Sequence, residues 1–310
     1  MNGPADSTGS QTMLSLAVGV QGAHSDLVAF LDTLQPEPGV EILICHASDD
    51  PQVPVFKELA EARKDLRLVP GASDALIPEM WRDGFVAAQG TWVATLTSHC
   101  PPRADWLARA LSLINTEAGD QHAAFGGAII ADPDADAVGL GVHLLRYADA
   151  GAARPRVQVS DISADNALYH RAPVMACSDL LPDGFWEPNY HRRFLAAGLV
   201  MEHIPDLVVV HKNHYSAAEF RHHRRRHGRV FGRHRSAGQP RWMQWVMALA
   251  APAAFPVFAF KQTRKVLSRP EQRSAFWHAA LPFYGFLASW CVGEAYGYVD
   301  ALRAPRGRQA

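Results

Sequence analysis

Cysteine is scarce in this chain of 310 residues, which contains only four cysteines and no CxxC pair. So sparse a set argues against a disulfide-stapled secreted scaffold and is typical of free thiols in a reducing compartment. The first residues, MNGPADSTGSQT, include neither a basic nor an apolar region, so we do not expect them to act as a secretory signal. We expect residues 1–12 to form a disordered tail.

Net charge is small too, at −1, but it is unevenly distributed along the chain. Residues 1–210 hold 13 Lys and Arg against 27 Asp and Glu, a net of −14, whereas residues 211–310 hold 17 against 4, a net of +13. A basic segment on an acidic body predicts contact with anionic lipid or nucleic acid. A solvated helix face is the alternative.

Apolar runs alternate with segments of helical periodicity through the first hundred residues. They predict strands at 14–20, 41–45, 66–69 and 92–96 and helices at 25–34, 54–64 and 77–89. Repeated units of this kind favour a parallel sheet with helices on both faces. The next hundred residues alternate less strictly. They predict strands at 124–130, 157–162, 166–170 and 207–210 and a helix at 189–197.

The most informative segment reads GTWVATLTSHCPPRADWL, from Gly90 to Leu107. Its β-branched strand ends in a polar corner, residues 97–100, and two prolines then lead into a helix. In sheets whose strands alternate with helices, ligands and metals are held at strand ends of this kind. We therefore expect the corner to line a crevice.

Several motifs follow one another in a characteristic order. The second strand leads into a Ser-Asp-Asp triplet, and AAQGTWVATL, WEPNYHRRFLAAG and IPDLVVVH come after it. This order resembles the family 2 glycosyltransferases of the GT-A fold, over residues 14–215, and indicates a divergent bacterial member. The resemblance implies an α/β fold with a Rossmann-like, mixed and mostly parallel sheet flanked by helices, which binds a nucleotide-diphosphate sugar.

The resemblance also implies which residues bind the donor. They are Gly19, Gln21, His46, Ser48, Thr97 and His99. The family's DxD-type motif, which holds a divalent metal on the sugar diphosphate, is missing, since Thr97, Ser98 and His99 stand in its place. His211 matches a position that often helps to hold the metal or the diphosphate. For His46, packing and hydrogen bonding alone are the alternative.

Glu187 stands where inverting members carry the general base. A carboxylate suits that role, because the acceptor hydroxyl must lose a proton as it attacks the sugar. The alternative for Glu187 is an acid that interacts favourably with a helix dipole. We expect Trp186, beside it, either to stack on the acceptor or to anchor the loop in the core.

Three hypotheses remain open for the corner, and the candidate cofactors are Mn²⁺, Mg²⁺ and Zn²⁺. In one hypothesis, His99 and His211 ligate a softer metal such as Zn²⁺ or Mn²⁺, with Cys100 nearby. In another, catalysis needs no metal, and His99 or an arginine, Arg192 or Arg193, stabilises the leaving diphosphate. In the third, the crevice does not catalyse, and His99 is a hydrogen-bonded residue at a strand end.

The C-terminal part combines a basic stretch, residues 221–235, with two long segments free of formal charge, residues 242–260 and 276–293. Tryptophans near the segment ends are typical of a membrane interface, and internal prolines argue against two straight spans. The basic flanks favour an interfacial or re-entrant helix pair on the cytoplasmic face of the cell membrane. A soluble helical subdomain is the alternative, and nucleic acid is the less favoured partner.

These observations predict five segments. They are a tail at 1–12, a GT-A-like nucleotide-sugar domain at 13–215, a basic helix or linker at 216–240, an apolar membrane-associated helical hairpin at 241–300 and a basic tail at 301–310. The expected activity is inverting transfer of a sugar from a nucleotide-diphosphate donor to a lipid-linked or cell-envelope glycan acceptor. A non-catalytic GT-A-like binding or scaffold protein is the alternative.

Overall fold

The computed structural model describes residues 13–20, 27–119, 121–213 and 215–303. The chain divides into two compact units. The first comprises Met1–Ile130 and Asp149–Lys212, and the second comprises Ala131–Ala148 and Asn213–Ala310. The predicted site residues that the structure describes all fall within the first unit.

An eight-stranded sheet forms the frame of the first unit. Its strands are β1 (Leu14–Val20), β2 (Val40–Ala47), β3 (Leu66–Gly71), β4 (Trp92–Thr97), β5 (His122–Ala131), β6 (Val157–Gln158), β7 (Asn166–His170) and β8 (Val200–His211). The spatial order is β3-β2-β1-β4-β7-β5-β8-β6. β1 pairs in parallel with β2 and β4, and β2 pairs in parallel with β3. β7 runs antiparallel to both β4 and β5. The sheet is therefore mixed and mostly parallel, as predicted.

Helices cover this sheet. The helices of the first unit are α1 (Leu27–Asp32), α2 (Val53–Ala62), α3 (Ile77–Ala87), α4 (Trp106–Thr116), α6 (Arg171–Ala176) and α7 (Glu187–Ala196). Every residue of β1 and of β4 is buried, as expected for central parallel strands with both faces covered. On one face, the indole N–H of Trp81 in α3 donates to the Leu96 carbonyl oxygen at 2.9 Å. That bond ties α3 to the strand that leads into the corner.

Several elements differ from the sequence prediction. β6 has two residues rather than the six predicted, and α6 was not predicted. β8 has 12 residues rather than the four predicted, because only its last apolar run is continuous and Pro205 and charged residues interrupt the rest. A further helix, α5 (Ala137–Tyr147), was not predicted, since its two glycines weaken the helical signal. The carboxylate of Asp136 stabilises its first turn by accepting the Gly139 backbone N–H at 2.7 Å.

The described part of the second unit is helical. It contains α5, α8 (Ala217–Ser236), α9 (Arg241–Leu267) and α10 (Arg273–Arg303). α8 and α10 approach each other through glycines, because a Cβ atom added at Gly293 of α10 would lie 2.2 Å from the Arg225 carbonyl oxygen of α8.

No described helix is by itself long and apolar enough to cross a bilayer. The two parts of α9, Arg241–Ala251 and Ala253–Leu267, reach the required length and composition only together, and they are bent by 64°.

Candidate functional site

The corner after β4 is attached to the end of β8. The backbone N–H of Lys212 donates to the His99 carbonyl oxygen at 2.8 Å, and the Arg103 N–H donates to the Val208 carbonyl oxygen at 3.0 Å. These bonds bring the His99 and His211 rings together, with centroids 5.7 Å apart and planes at 83°. The two histidines predicted as a pair therefore meet edge to face.

A carboxylate that the sequence prediction missed completes the corner. The Thr97 hydroxyl donates to Asp165 Oδ1 at 3.1 Å, and His99 Nε2 lies 3.9 Å from the same oxygen. One ligand atom each from His99, Cys100 and Asp165 all lie within 4.8 Å of one another. Cys100 and Asp165 are buried, whereas the His99 side chain is 15% exposed. The cluster therefore opens toward solvent on the His99 side.

Asn166 holds Asp165 in place from the first residue of β7. Its amide nitrogen donates to the carbonyl oxygens of Ala128 at 2.9 Å and Leu207 at 2.8 Å. Its amide oxygen accepts the indole N–H of Trp106 at 2.9 Å. Gly127 leaves the room for this side chain, since a Cβ there would lie 2.2 Å from the Asn166 amide nitrogen. The neighbouring Asp165 is thereby fixed relative to three strands and a helix.

The other residues predicted to bind the donor lie at the ends of β1 and β2. The Gly19 carbonyl oxygen accepts the Ser98 backbone N–H at 3.1 Å. His46 is buried, with its Nδ1 atom 2.8 Å from the Ala47 carbonyl oxygen and its ring tilted against Phe56. Ser48 is exposed beyond the end of β2. Gln21 lies outside the described residues.

Glu187 and Trp186 lie at the start of α7. Glu187 is the first helical residue, and Trp186 is the residue that precedes the helix. Both are half-buried, and the Trp186 indole N–H donates to the Asp183 carbonyl oxygen at 2.8 Å. The indole is thus held by the loop while part of its surface stays accessible.

A chain of hydrogen bonds connects β7 with α7 and with Asp161; Tyr169 and His191 are buried, whereas the Asp161 side chain is exposed. The Tyr169 hydroxyl lies 3.0 Å from His191 Nε2, and His191 Nδ1 lies 2.5 Å from Asp161 Oδ1. Burial raises the pKa of Tyr169 well above its ordinary range, and the negative charges of Glu187, Asp161 and Asp165 raise it further. His191 follows Glu187 by four residues, so the two lie on one face of α7. That spacing does not indicate the partners of His191, Tyr169 and Asp161, which lie elsewhere in the sequence.

The two arginines considered as cations for the diphosphate have other partners. Arg192 donates to the Asn189 side-chain oxygen at 2.6 Å, and Arg193 forms an ion pair with Asp179 at 2.5 Å. Both arginines are exposed on α7. In this structure they stabilise the surface of that helix and its neighbouring loop.

Comparison with known proteins reveals similarity at the level of the fold. No protein-family model matches the chain, and no curated protein matches it. Among solved structures, the chain is similar to the mannosyltransferase PcManGT from Pyrobaculum calidifontis in complex with GDP-Man and Mn²⁺. The TM-score is 0.53 at 15% sequence identity, over 92% of this chain and 89% of that one. The chain has a GT-A-like fold.

Two further structures are more distant from this GT-A-like chain. S. aureus TarS 1–349 in complex with UDP-GlcNAc gives a TM-score of 0.48 at 11% identity, over 69% of this chain and 64% of that chain. GalNAc-T7 with UDP, GalNAc and Mn²⁺ gives 0.47 at 13% identity, over 66% and 44% respectively.

The candidate ligand atoms at the corner of the GT-A-like sheet fit some divalent metals better than others. The cluster offers an imidazole nitrogen, a thiol sulfur and a carboxylate oxygen. Zn²⁺ accepts all three ligand types, and Mn²⁺ suits the nitrogen and the oxygen. Mg²⁺ prefers oxygen ligands alone. The corner thus suits Zn²⁺ or Mn²⁺ better than Mg²⁺.

Proposed function

We propose that the chain is a glycosyltransferase that moves a sugar from a nucleotide-diphosphate donor. The observation that carries this proposal is the cluster of His99, Cys100 and Asp165, beside His211, at the end of a central strand of a GT-A-like sheet. In open α/β sheets, ligands bind in the crevice at the carboxyl ends of the strands. The similar mannosyltransferase was solved with a nucleotide sugar and Mn²⁺, which is consistent with this assignment.

The corner is suited to the departing diphosphate. A divalent cation held by His99, Cys100 and Asp165 would supply positive charge to the developing phosphate oxygens. Thr97 orients the Asp165 carboxylate, because its hydroxyl donates to Oδ1 at 3.1 Å, and the Ser163 hydroxyl donates to Oδ2 at 3.4 Å. Gly19, Gln21, His46 and Ser48 stay candidate donor-binding residues.

We infer that transfer proceeds with inversion, as expected for a divergent bacterial family 2 enzyme. The acceptor hydroxyl attacks the anomeric carbon, its proton passes to the Glu187 carboxylate, and the bond from that carbon to the diphosphate oxygen breaks. A half-buried carboxylate at the start of a helix supports this role for Glu187, since it combines access to solvent with a fixed position. Trp186, with its indole held by the loop, is suited to stack on an acceptor sugar.

We further propose that the protein works on the cytoplasmic face of the cell membrane, on a lipid-linked or envelope glycan acceptor. The support is the chemistry of the second unit. Most of its exposed large apolar side chains lie on α9 and α10, among them Trp242, Trp245, Leu249, Phe260, Trp277 and Leu281. Residues 211–310 carry a net charge of +13, which attracts anionic lipid headgroups.

The release of nucleoside diphosphate tests the proposed activity. The full chain would be incubated with GDP-mannose, UDP-GlcNAc or UDP-GalNAc, each with Mn²⁺, Zn²⁺ or EDTA and with a bacterial lipid extract as acceptor. We expect lipid-dependent release from at least one donor and a loss of release in EDTA. The melting temperature of the protein would be measured with each donor as well. A donor that raises this temperature but is never consumed would favour the non-catalytic scaffold. A lack of both effects with every donor would contradict nucleotide-sugar binding itself.

A further inference from the structure

An apolar groove lies between α9 and α10 in the second unit. Its volume is about 420 Å³. Its walls include Ala248 and Phe255 from α9 and Ala288, Ala295 and Val299 from α10. Phe255 lies seven residues after Ala248, and the α10 residues follow at intervals of seven and four, so each helix contributes one continuous stripe. The groove is therefore elongated along the two helices.

Small side chains create the groove. Three of the lining residues are alanines, and each leaves empty the space that a larger core side chain would fill. At ~30 Å³ for a group the size of a water molecule or a methylene, 420 Å³ holds on the order of 14 such groups. The size and the lining suit one hydrocarbon chain.

The surroundings of the groove indicate which kind of molecule supplies the hydrocarbon chain. Trp245 is 55% exposed and lies one turn before Ala248 on α9, and Tyr296, at the wall of the groove, is 59% exposed. Residues 215–303 contain 14 Lys and Arg against 4 Asp and Glu. Two of those acids, Glu294 and Asp300, already form ion pairs with arginines of α8. Exposed aromatic rings around an apolar groove on a cationic unit match the interface of an anionic bilayer.

We propose that the groove between α9 and α10 binds one acyl chain of an anionic bilayer lipid. The inference rests on the membrane docking proposed above but not on glycosyl transfer. The acyl chain enters the groove, and the lipid headgroup stays at the cationic surface. The exposed tryptophans lie at the level of neighbouring headgroups. The bound lipid thus holds α9 and α10 at the membrane surface.

Filling the groove tests this inference. Ala295→Phe places a benzyl group in the groove, and Ala250→Phe places the same group at an exposed position of α9. Titration calorimetry would use 14-carbon lysophosphatidylglycerol below its critical micelle concentration. We expect the wild type and Ala250→Phe to bind about one molecule per chain and Ala295→Phe to bind at least 10-fold more weakly. Lysophosphatidylcholine of the same chain length should bind the wild type more weakly than the anionic lipid does.

Flotation with phosphatidylcholine and phosphatidylglycerol vesicles separates the groove from general adsorption. Ala295→Phe should still float, since its exposed aromatics and arginines are unchanged. Ala288→Phe serves as a second groove variant, and a melting curve for each protein checks that it is folded. Equal lysolipid affinity in folded Ala295→Phe and Ala250→Phe, or no saturable binding by the wild type, would overturn the groove assignment. Failure of the wild type to float would contradict the membrane as the source of the chain, whereas nucleotide-sugar turnover would be unaffected.

Discussion

Asp165 supplies the carboxylate of the candidate metal site, beside His99 and Cys100. Changing it tests directly whether these residues bind a metal ion. Asp165→Asn keeps an oxygen that can accept the Thr97 hydroxyl but removes the negative charge. Because loss of a charged ligand costs more than the ~10 to 100-fold seen for outer-shell changes, we expect affinity for Zn²⁺ or Mn²⁺ to fall at least about 10-fold. Calorimetry with the metal ion alone measures this.

The matched control for that experiment is Asp179→Asn. Asp179 is 57% exposed and pairs with Arg193 on the surface. Metal affinity of this variant should equal that of the wild type. Equal affinities in all three proteins would remove Asp165 from the metal site.

Glu187 is the residue on which proton transfer depends in this account. Glu187→Gln keeps the size and the hydrogen-bonding capacity of the side chain but cannot take a proton. General-base catalysis contributes about 10² to 10⁴ in rate, so kcat for nucleoside-diphosphate release should fall in that range. The donor dissociation constant should stay within a factor of two or three, by order of magnitude, because Glu187 acts on the acceptor side.

Glu58→Gln, on the exposed surface of α2, is the control for this variant. Its kcat should equal that of the wild type. A Glu187→Gln enzyme with unchanged kcat would assign Glu187 to the helix terminus alone, where its charge only stabilises α7.

Single elements of the fold were predicted where their signal is local. β1, β2 and β4 are apolar runs bounded by turn residues, so their periodicity alone identifies them. α5 and the first half of β8 are recognised only in their tertiary surroundings, because glycines weaken the one and polar residues interrupt the other. Packing overrides such weak local preferences.

The same distinction applies to the site. His99 follows β4 and His211 ends β8, and the family resemblance placed both at the diphosphate site, so their proximity was predicted although β7 and β5 lie between these two strands. Asp165 lies 68 residues from Thr97 and precedes an antiparallel strand that inserts between β4 and β5. Neither that insertion nor the network of Asn166 leaves a pattern in the sequence. Sequence reasoning therefore located the corner but missed the carboxylate.

A buried histidine on α5, His143, makes the stability of the second unit depend on pH. Burial lowers the pKa of His143 from about 6.5 to about 4. The folded state keeps His143 neutral, while the unfolded state takes up a proton as pH falls below 6.5. The contribution of His143 to the free energy of unfolding is therefore full above pH 6.5 and declines toward pH 4. At pH 5 the loss from this residue is roughly 2 kcal/mol.

Urea denaturation at pH 7 and at pH 5 measures the contribution of His143. The loss of unfolding free energy between the two pH values should be smaller in His143→Gln than in the wild type. His278→Gln, at an exposed position of α10, should retain the full loss. The same pH dependence in all three proteins would contradict a buried neutral His143.

At the scale of the whole molecule, the uneven charge predicts how the chain meets a membrane. Arg225 and Arg226 are exposed on α8, and each cation near an anionic surface contributes about 1 kcal/mol of attraction. Arg225→Glu with Arg226→Glu should therefore weaken binding to phosphatidylglycerol vesicles at least about 10-fold, as measured by flotation. Binding of the wild type should also fall as salt is raised.

Lys57 and Lys64 provide the matched control, since both are exposed on the acidic first unit. Their double change to Glu alters the net charge by the same amount. It should leave vesicle binding within a factor of two or three, by order of magnitude. An equal loss in both double variants would mean that net charge, rather than the basic second unit, governs adsorption.

Donor binding by the intact chain tests the central claim most directly. Titration calorimetry with GDP-mannose, UDP-GlcNAc and UDP-GalNAc, with and without Mn²⁺ or Zn²⁺, measures it in one experiment. The account predicts that at least one donor binds about one molecule per chain, more tightly with the metal than without it, and that Asp165→Asn removes the gain. If no donor binds under any of these conditions, the GT-A-like crevice is not a nucleotide-sugar site and the proposed activity is wrong.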